Sequence, residues 1–328
     1  MTPAAVTPAD SPADHAGESG HGGESTTTVV LAFAANFAVA LAKSAAAFVT
    51  GSASMVAEAA HSWADTGNEV FLLVANRRAN RRPDRAHPLG FGREAYFWSM
   101  LAALGLFAAG SAVSVTHGIQ ELLHPEPAGD YLVAYIVLAV SFVLEGISFT
   151  QAWRQMRREA SQAHREVIEH ALATSDPTLR AVFAEDAAAL AGLAIAFLGI
   201  LTHQLTGSPV PDALGSIVVG VLLGVVALIL IDRNRRFLLG EEASSQQRQH
   251  ALDLLAALPE IARVTYLRLE YVGPRRIYLV ASVDLVGDQV ESSVAVTLRR
   301  LELRIEDNPV IAEAVLTLAA PDDPSISA

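Results

Sequence analysis

No cysteine occurs in the 328 residues, which excludes disulfides and thiolate metal sites and says nothing firm about compartment. Charged residues are sparse, 18% against 52% hydrophobic, and the mean hydropathy is positive, too apolar a balance for an ordinary soluble domain. The start of the chain has no basic n-region, so no cleaved secretory signal is expected. Hydrolytic, redox and nucleotide-binding motifs are all missing, which argues against an enzyme, and nothing points to nucleic acid. The formal net charge is −12, but where the positive charges sit carries more information than the sum.

What the sequence does have is apolar runs, near 28–50, 55–76, 96–123, 131–153, 179–203 and 212–231. Each is close to or above the ~20 residues that cross a bilayer as a helix. Arg77, Arg78, Arg81, Arg82, Arg85 and Arg93 lie between the second and third runs. Arg154, Arg157, Arg158 and Arg165 lie between the fourth and fifth, and Arg233, Arg235 and Arg236 follow the sixth. The intervening turns, GSAS, HPEPAGD and LTGSPVPD, hold neither Lys nor Arg. The positive-inside rule then gives six crossings with both termini cytoplasmic. Residues 1–25, rich in Ala, Pro, Gly, Ser and His, are expected to be disordered, 26–236 to form the membrane domain, and 321–328 to be a loose tail.

Between them, 237–320 changes character. Helical spacing over 244–257, strands over 264–271 and 276–285, an amphipathic helix over 294–305 and a strand over 310–318 predict a small α+β sandwich of the ferredoxin-like kind.

The second run carries the densest chemistry, AEAAHSWADTGNE at 57–69. His61 and Asp65 are four residues apart, so a helix projects both from one face, with Glu58 and Asn68 nearby. Ionisable groups inside a span are costly and usually face a bundle interior or a water path. An imidazole and a carboxylate one turn apart can share a divalent cation such as Zn²⁺. The alternative is a hydrogen-bonded pair that holds helices together. FAEDAAALAG at 183–192 adds Asp186 in the fifth run, so that three ligands from two helices could converge on one ion. Lys43 and Glu145, each expensive alone, are expected to form a buried pair.

In this order the motifs GSASMVAEAAHSWADTGNE (51–69), HPLGFGREAYFW (87–98), EDAAALAGLAIA (185–196), DALGSIVVG (212–220) and LLGEEA (238–243) resemble the cation diffusion facilitator family. HSWADTGNE, GREAYFW, Glu145 and the adjacent acids Glu185 and Asp186 look closest to the branch that includes zinc transporter nine. The resemblance implies a dimeric, proton-coupled exporter of a divalent transition-metal cation from the cytoplasm, with zinc foremost and manganese, iron or cobalt as alternatives. It implies no prosthetic group, protons as counter-ion and a bilayer location, expected to be a bacterial plasma membrane. It assigns the metal to His61, Asp65 and Asp186.

The family's other ligand in the fifth span falls at Val182, which cannot ligate. Either Glu185 reaches in, or water completes the shell, or three ligands suffice. Of a connector metal site only Asp84 and His87 are retained, and capping by Asp84 accounts for them equally well. The competing function is a non-transporting membrane protein whose soluble domain dimerises or docks partners.

Overall fold

The computed structural model of the chain describes residues 26–125 and 131–326; the expected disorder of 1–25 and part of the turn at 124–130 lie outside them. Helices α1 (Thr26–Thr50), α2 (Ala53–Ala79), α3 (Glu94–Ala102), α4 (Ala108–Leu123) and α5 (Tyr131–Gln162) come first. They are followed by α6 (Val167–Ala173), α7 (Pro177–Thr206) and α8 (Val210–Leu239). Then come α9 (Ser245–Ala256), β1 (Ile261–Gly273), β2 (Arg276–Leu285), α10 (Glu291–Glu306) and β3 (Ile311–Leu318).

Among the described residues five segments are long and apolar enough to cross a membrane: Phe33–Thr50 of α1, Glu94–Leu123, α5, α7 and α8. The second expected crossing, α2, is not one of them. At 27 residues it is about 40 Å long. Its polar side chains, however, bring its hydropathy below that of its neighbours. It packs against α1, α3, α4, α7 and α8, so that the polar face meets protein. The third run is not one α-helix either. Ala103–Phe107 forms a π-helical turn between α3 and α4, a widening that no sequence period marks. The short helix α6 in the arginine-bearing connector was also not legible.

The helix ends follow from local chemistry. Ser52 accepts from the Met55 amide and Asp212, from the first turn of α8, accepts from the Ala53 and Ser54 amides at 3.0 and 3.2 Å. A buried carboxylate thus sits on the positive end of α2 and locks α8 to it. Asp176 caps α7 through the Thr178 and Leu179 amides, with Pro177 in the first turn and Gly207, at φ 70°, ending it.

In the C-terminal part β1 pairs antiparallel with β2, and β2 pairs parallel with β3 through the α10 crossover, giving the order β1-β2-β3. The helix–strand–strand–helix–strand order is the expected one. Among the described residues the sheet has three strands, one fewer than a complete ferredoxin-like βαββαβ sheet. Alternate residues of β2 are buried, as a sheet with one covered face requires.

Two expectations about boundaries need correction. Residues 321–326 are not loose: Arg263 donates to the carbonyls of Ala320, Pro321 and Asp323, and the Ile326 amide donates to Val264 O at 2.9 Å. Nor does the soluble core begin cleanly at 237. Tyr96 of α3 stacks on Phe237 of α8 at 4.9 Å, and both belong to the core of the sheet domain. The two parts are joined by packing as well as by chain. Gly92, in the loop before α3, lies against the Val272–Gly273 backbone, and Arg93 pairs with Glu270.

Candidate cation site in the helical bundle

On α2, Glu58, Ser62, Asp65 and Glu69 fall within an arc of about 60° and span about 16 Å of the helix axis. Glu58 Oε1, Ser62 Oγ, Asp65 Oδ1 and Glu69 Oε2 are all buried and have no hydrogen-bond partner among the described residues. Buried polar atoms are nearly always satisfied, so a continuous row of unsatisfied oxygens on one helix face needs an explanation. His61 and Asn68 border this stripe on the side toward α7.

The side chains facing it come from three helices. From α1, Lys43 Nζ lies 3.0 Å from Glu58 Oε2 and 3.9 Å from Glu145 Oε1 of α5, and Asn36 donates to Glu69 Oε1 at 2.6 Å. From α7, Glu185 accepts from Asn68, and Asp186 Oδ2 accepts from Ser148 Oγ of α5 at 2.7 Å. His61 Nε2 lies 3.5 Å from Asp65 Oδ2. Gly192 makes the closest approach of α7 possible: a Cβ there would stand 2.6 Å from Glu58 Oε1.

Several sequence expectations are therefore sharpened. The His61–Asp65 pair exists as spaced. Lys43 does approach Glu145, but its nearer partner is Glu58. Of the two acids on α7, Glu185 meets α2 and Asp186 turns to α5, while Val182, half-buried, lies between them on the helix circumference. Among the described residues, no three His, Asp or Glu side chains are gathered tightly enough to hold one metal ion, so His61, Asp65 and Asp186 do not form a closed three-ligand shell here. Glu69, Ser62 and Ser148 were missed. The first two sit at helical spacing from Asp65, a signal the sequence carried.

Asp84 and His87 stand apart, both exposed in the loop between α2 and α3. Asp84 Oδ1 accepts from the Ala86 and His87 amides at 2.9 and 2.8 Å, with His87 Nδ1 at 3.0 Å from the same oxygen. The bonds from His87 hold the Asp84 carboxyl below its ordinary range. The pair folds the HPLG turn.

Chemically, the α2 stripe and the side chains facing it present six carboxylates, one imidazole and one ammonium, with hydroxyl and amide groups between them. Such a set suits a small multivalent cation or protons. Oxygen-rich donors with one imidazole admit Zn²⁺ and also harder ions such as Mn²⁺.

Comparison with known proteins agrees with this chemistry. The cation efflux transmembrane domain matches residues 29–239. Metal tolerance protein C4 of Arabidopsis thaliana is 34% identical over 81% of this chain and 58% of its own length. The human proton-coupled zinc antiporter SLC30A9, mitochondrial, is 35% identical over 74% of this chain and 43% of its own. The cation-efflux pump FieF of Escherichia fergusonii is 29% identical over 75% and 79%. The chain spans about half the length of the first two relatives. With the family domain covering α1 to α8 and the polar stripe of α2 at its centre, this chain belongs to the cation efflux, or cation diffusion facilitator, family of transporters, in its SLC30A9-like branch.

Proposed function

We propose that the protein is a proton-coupled secondary transporter that exports a divalent transition-metal cation, zinc foremost, through the interior of the bundle. The observation that carries this reading is the row of four unpartnered buried oxygens on α2, with Glu185 held on Asn68 and Glu145 beside Lys43 close by. A dication moving along that row meets carboxylate oxygens at each turn, which offset the cost of its dehydration in a low-dielectric interior. His61, Asp65 and Glu185 are the ligands at the centre, with Asp186 joining as α5 and α7 shift. The groups that hold the metal also hold protons, so protons from the far side compete for the same oxygens and imidazole, and exchange follows. Alternating access then requires two arrangements of the bundle with different cation affinity.

In this reading α2 is the sixth crossing, wrapped by its neighbours instead of by lipid, and both termini face the cytoplasm. The arginine-bearing ends of α2, α5 and α8 support that orientation. The chain works as a homodimer. The expected bacterial plasma membrane draws no support from the relatives, which include proteins named mitochondrial as well as Escherichia pumps. The test is uptake of Zn²⁺, Mn²⁺, Fe²⁺ and Co²⁺ side by side into vesicles of purified protein, with internal pH followed. Cation uptake with opposite proton movement is expected. Uptake of none of the four would overturn the proposal.

A further inference from the structure

Lys43 is the sole lysine in the 328 residues; the other 22 of the 23 Lys and Arg residues are arginine. It is also fully buried, on a helix whose other side exposes Phe37, Leu41, Phe48 and Val49. An ammonium is a compact point charge on a flexible stem, whereas a guanidinium is a planar fork that fixes its partners. A lysine here can therefore move between acceptors without rebuilding them. Two acceptors are in place: Glu58 at 3.0 Å and Glu145 at 3.9 Å, on different helices. Glu58 is itself fully buried, and only its Oε2 is used; Oε1 is left without a partner beside Gly192 of α7. Ser62, one turn along α2 toward Asp65, is 3% exposed, and its hydroxyl is likewise unpartnered.

Glu58 lies five residues into α2 from the GSAS turn, so the Lys43–Glu58–Glu145 group sits on the GSAS side of His61 and Asp65, the side away from the arginine connectors. We propose that Lys43 is a tethered counter-cation that occupies a second cation subsite, Glu58 with Glu145, and closes the outward half of the path until the exported dication displaces it. This rests on the reading of the α2 stripe as a cation path. When the ion advances from Asp65, the free Oε1 of Glu58 is the next oxygen available. Taking it weakens the hold of Glu58 on Lys43, which swings to Glu145. Return of the ammonium to Glu58 expels the ion outward and restores a neutral pair. A fixed structural ion pair needs neither the second acceptor nor the unpartnered oxygen.

Having one lysine makes the test direct. Protein labelled at lysine with ¹³Cε gives a single side-chain NMR signal, from Lys43. Saturating Zn²⁺ should move that signal with the same half-point as calorimetric Zn²⁺ binding. A signal unmoved while calorimetry records binding would overturn the proposal. No binding by calorimetry would remove the cation path itself, and the gate with it. In vesicles, the pair Lys43→Met with Glu58→Gln removes both charges together, a change buried ion pairs often tolerate. It should lower Zn²⁺ turnover about tenfold or more. Should that double variant not fold, Glu145→Gln alone should likewise lower turnover, since Lys43 keeps Glu58 but loses its alternative. Normal turnover in whichever variant folds would mean that the ion pair is only structural.

Discussion

The contact between the membrane bundle and the sheet domain can be broken by one methyl group. A Cβ on Gly92 would stand 2.5 Å from Val272 O and 2.7 Å from Gly273 Cα, and a Cβ on Gly273 would stand 2.7 Å from Gly92 Cα. All of these obstacles are backbone, so no side chain can swing aside. The φ angle of neither glycine is positive, so the cost is steric and not torsional. Gly92→Ala must push the β1–β2 turn back by close to an ångström, at the overpacking cost of about 1–3 kcal/mol. In a chain of this size that corresponds to a fall in melting temperature of about 1–5 °C. It also strains the neighbouring Arg93–Glu270 pair and the Tyr96 hydroxyl, which donates to Ser175 O at 2.9 Å. The discriminating assay is a double-mutant cycle in detergent-purified protein. Once one alanine has opened the contact, the second has little left to disturb, so Gly92→Ala with Gly273→Ala should cost clearly less than the sum of the two singles. Unchanged melting in both singles, or strictly additive losses, would refute this account of the junction.

Other outcomes follow from single side chains. Glu185→Gln keeps the bond to Asn68 possible while removing a charge from the α2 face, and should weaken Zn²⁺ binding by tenfold or more, about 1.4 kcal/mol, by calorimetry. Val182→His places an imidazole between Glu185 and Asp186 and should raise Zn²⁺ affinity more than Mn²⁺ affinity in the same measurement. Arg180 donates to Thr174 O at 2.8 Å and to Asn234 Oδ1 at 2.6 Å in the buried seam between α7 and α8. Arg180→Leu should destabilise by about 1–3 kcal/mol for each acceptor left unpaired, read as a lowered melting temperature. The Asp84 carboxyl is held below its ordinary range, so its contribution to the HPLG turn is present above about pH 4 and is lost as pH falls through the lower folded-state value. The Ala86 amide shift should move in that acidic window.

The sequence announced the helices because membrane spans are long and their hydrophobic pattern is local. Every apolar run became helix, and 276–285 became β2 with unchanged limits. The same reasoning found His61 and Asp65, since a spacing of four is itself a statement of shared face. It could not tell that Lys43 prefers Glu58 to Glu145, because which helices touch is decided by packing across the bundle. Glu69 was passed over for a different reason. It lies on the α2 arc with Glu58 and Asp65, but its partner Asn36 is 33 residues away on α1. The π-turn at Ala103–Phe107 and the pinning of 321–326 by Arg263 likewise depend on tertiary contacts that no local pattern encodes.

The central claim is that a cation passes along the face of α2 that bears Asp65. The most direct measurement is Zn²⁺ uptake into inside-out vesicles by Asp65→Ala beside the unaltered protein, with folding checked by size-exclusion profile and melting. Asp65 is half-buried at the middle of α2, away from both helix ends, so the variant should fold normally and carry no Zn²⁺. Near-normal uptake by Asp65→Ala would contradict the account.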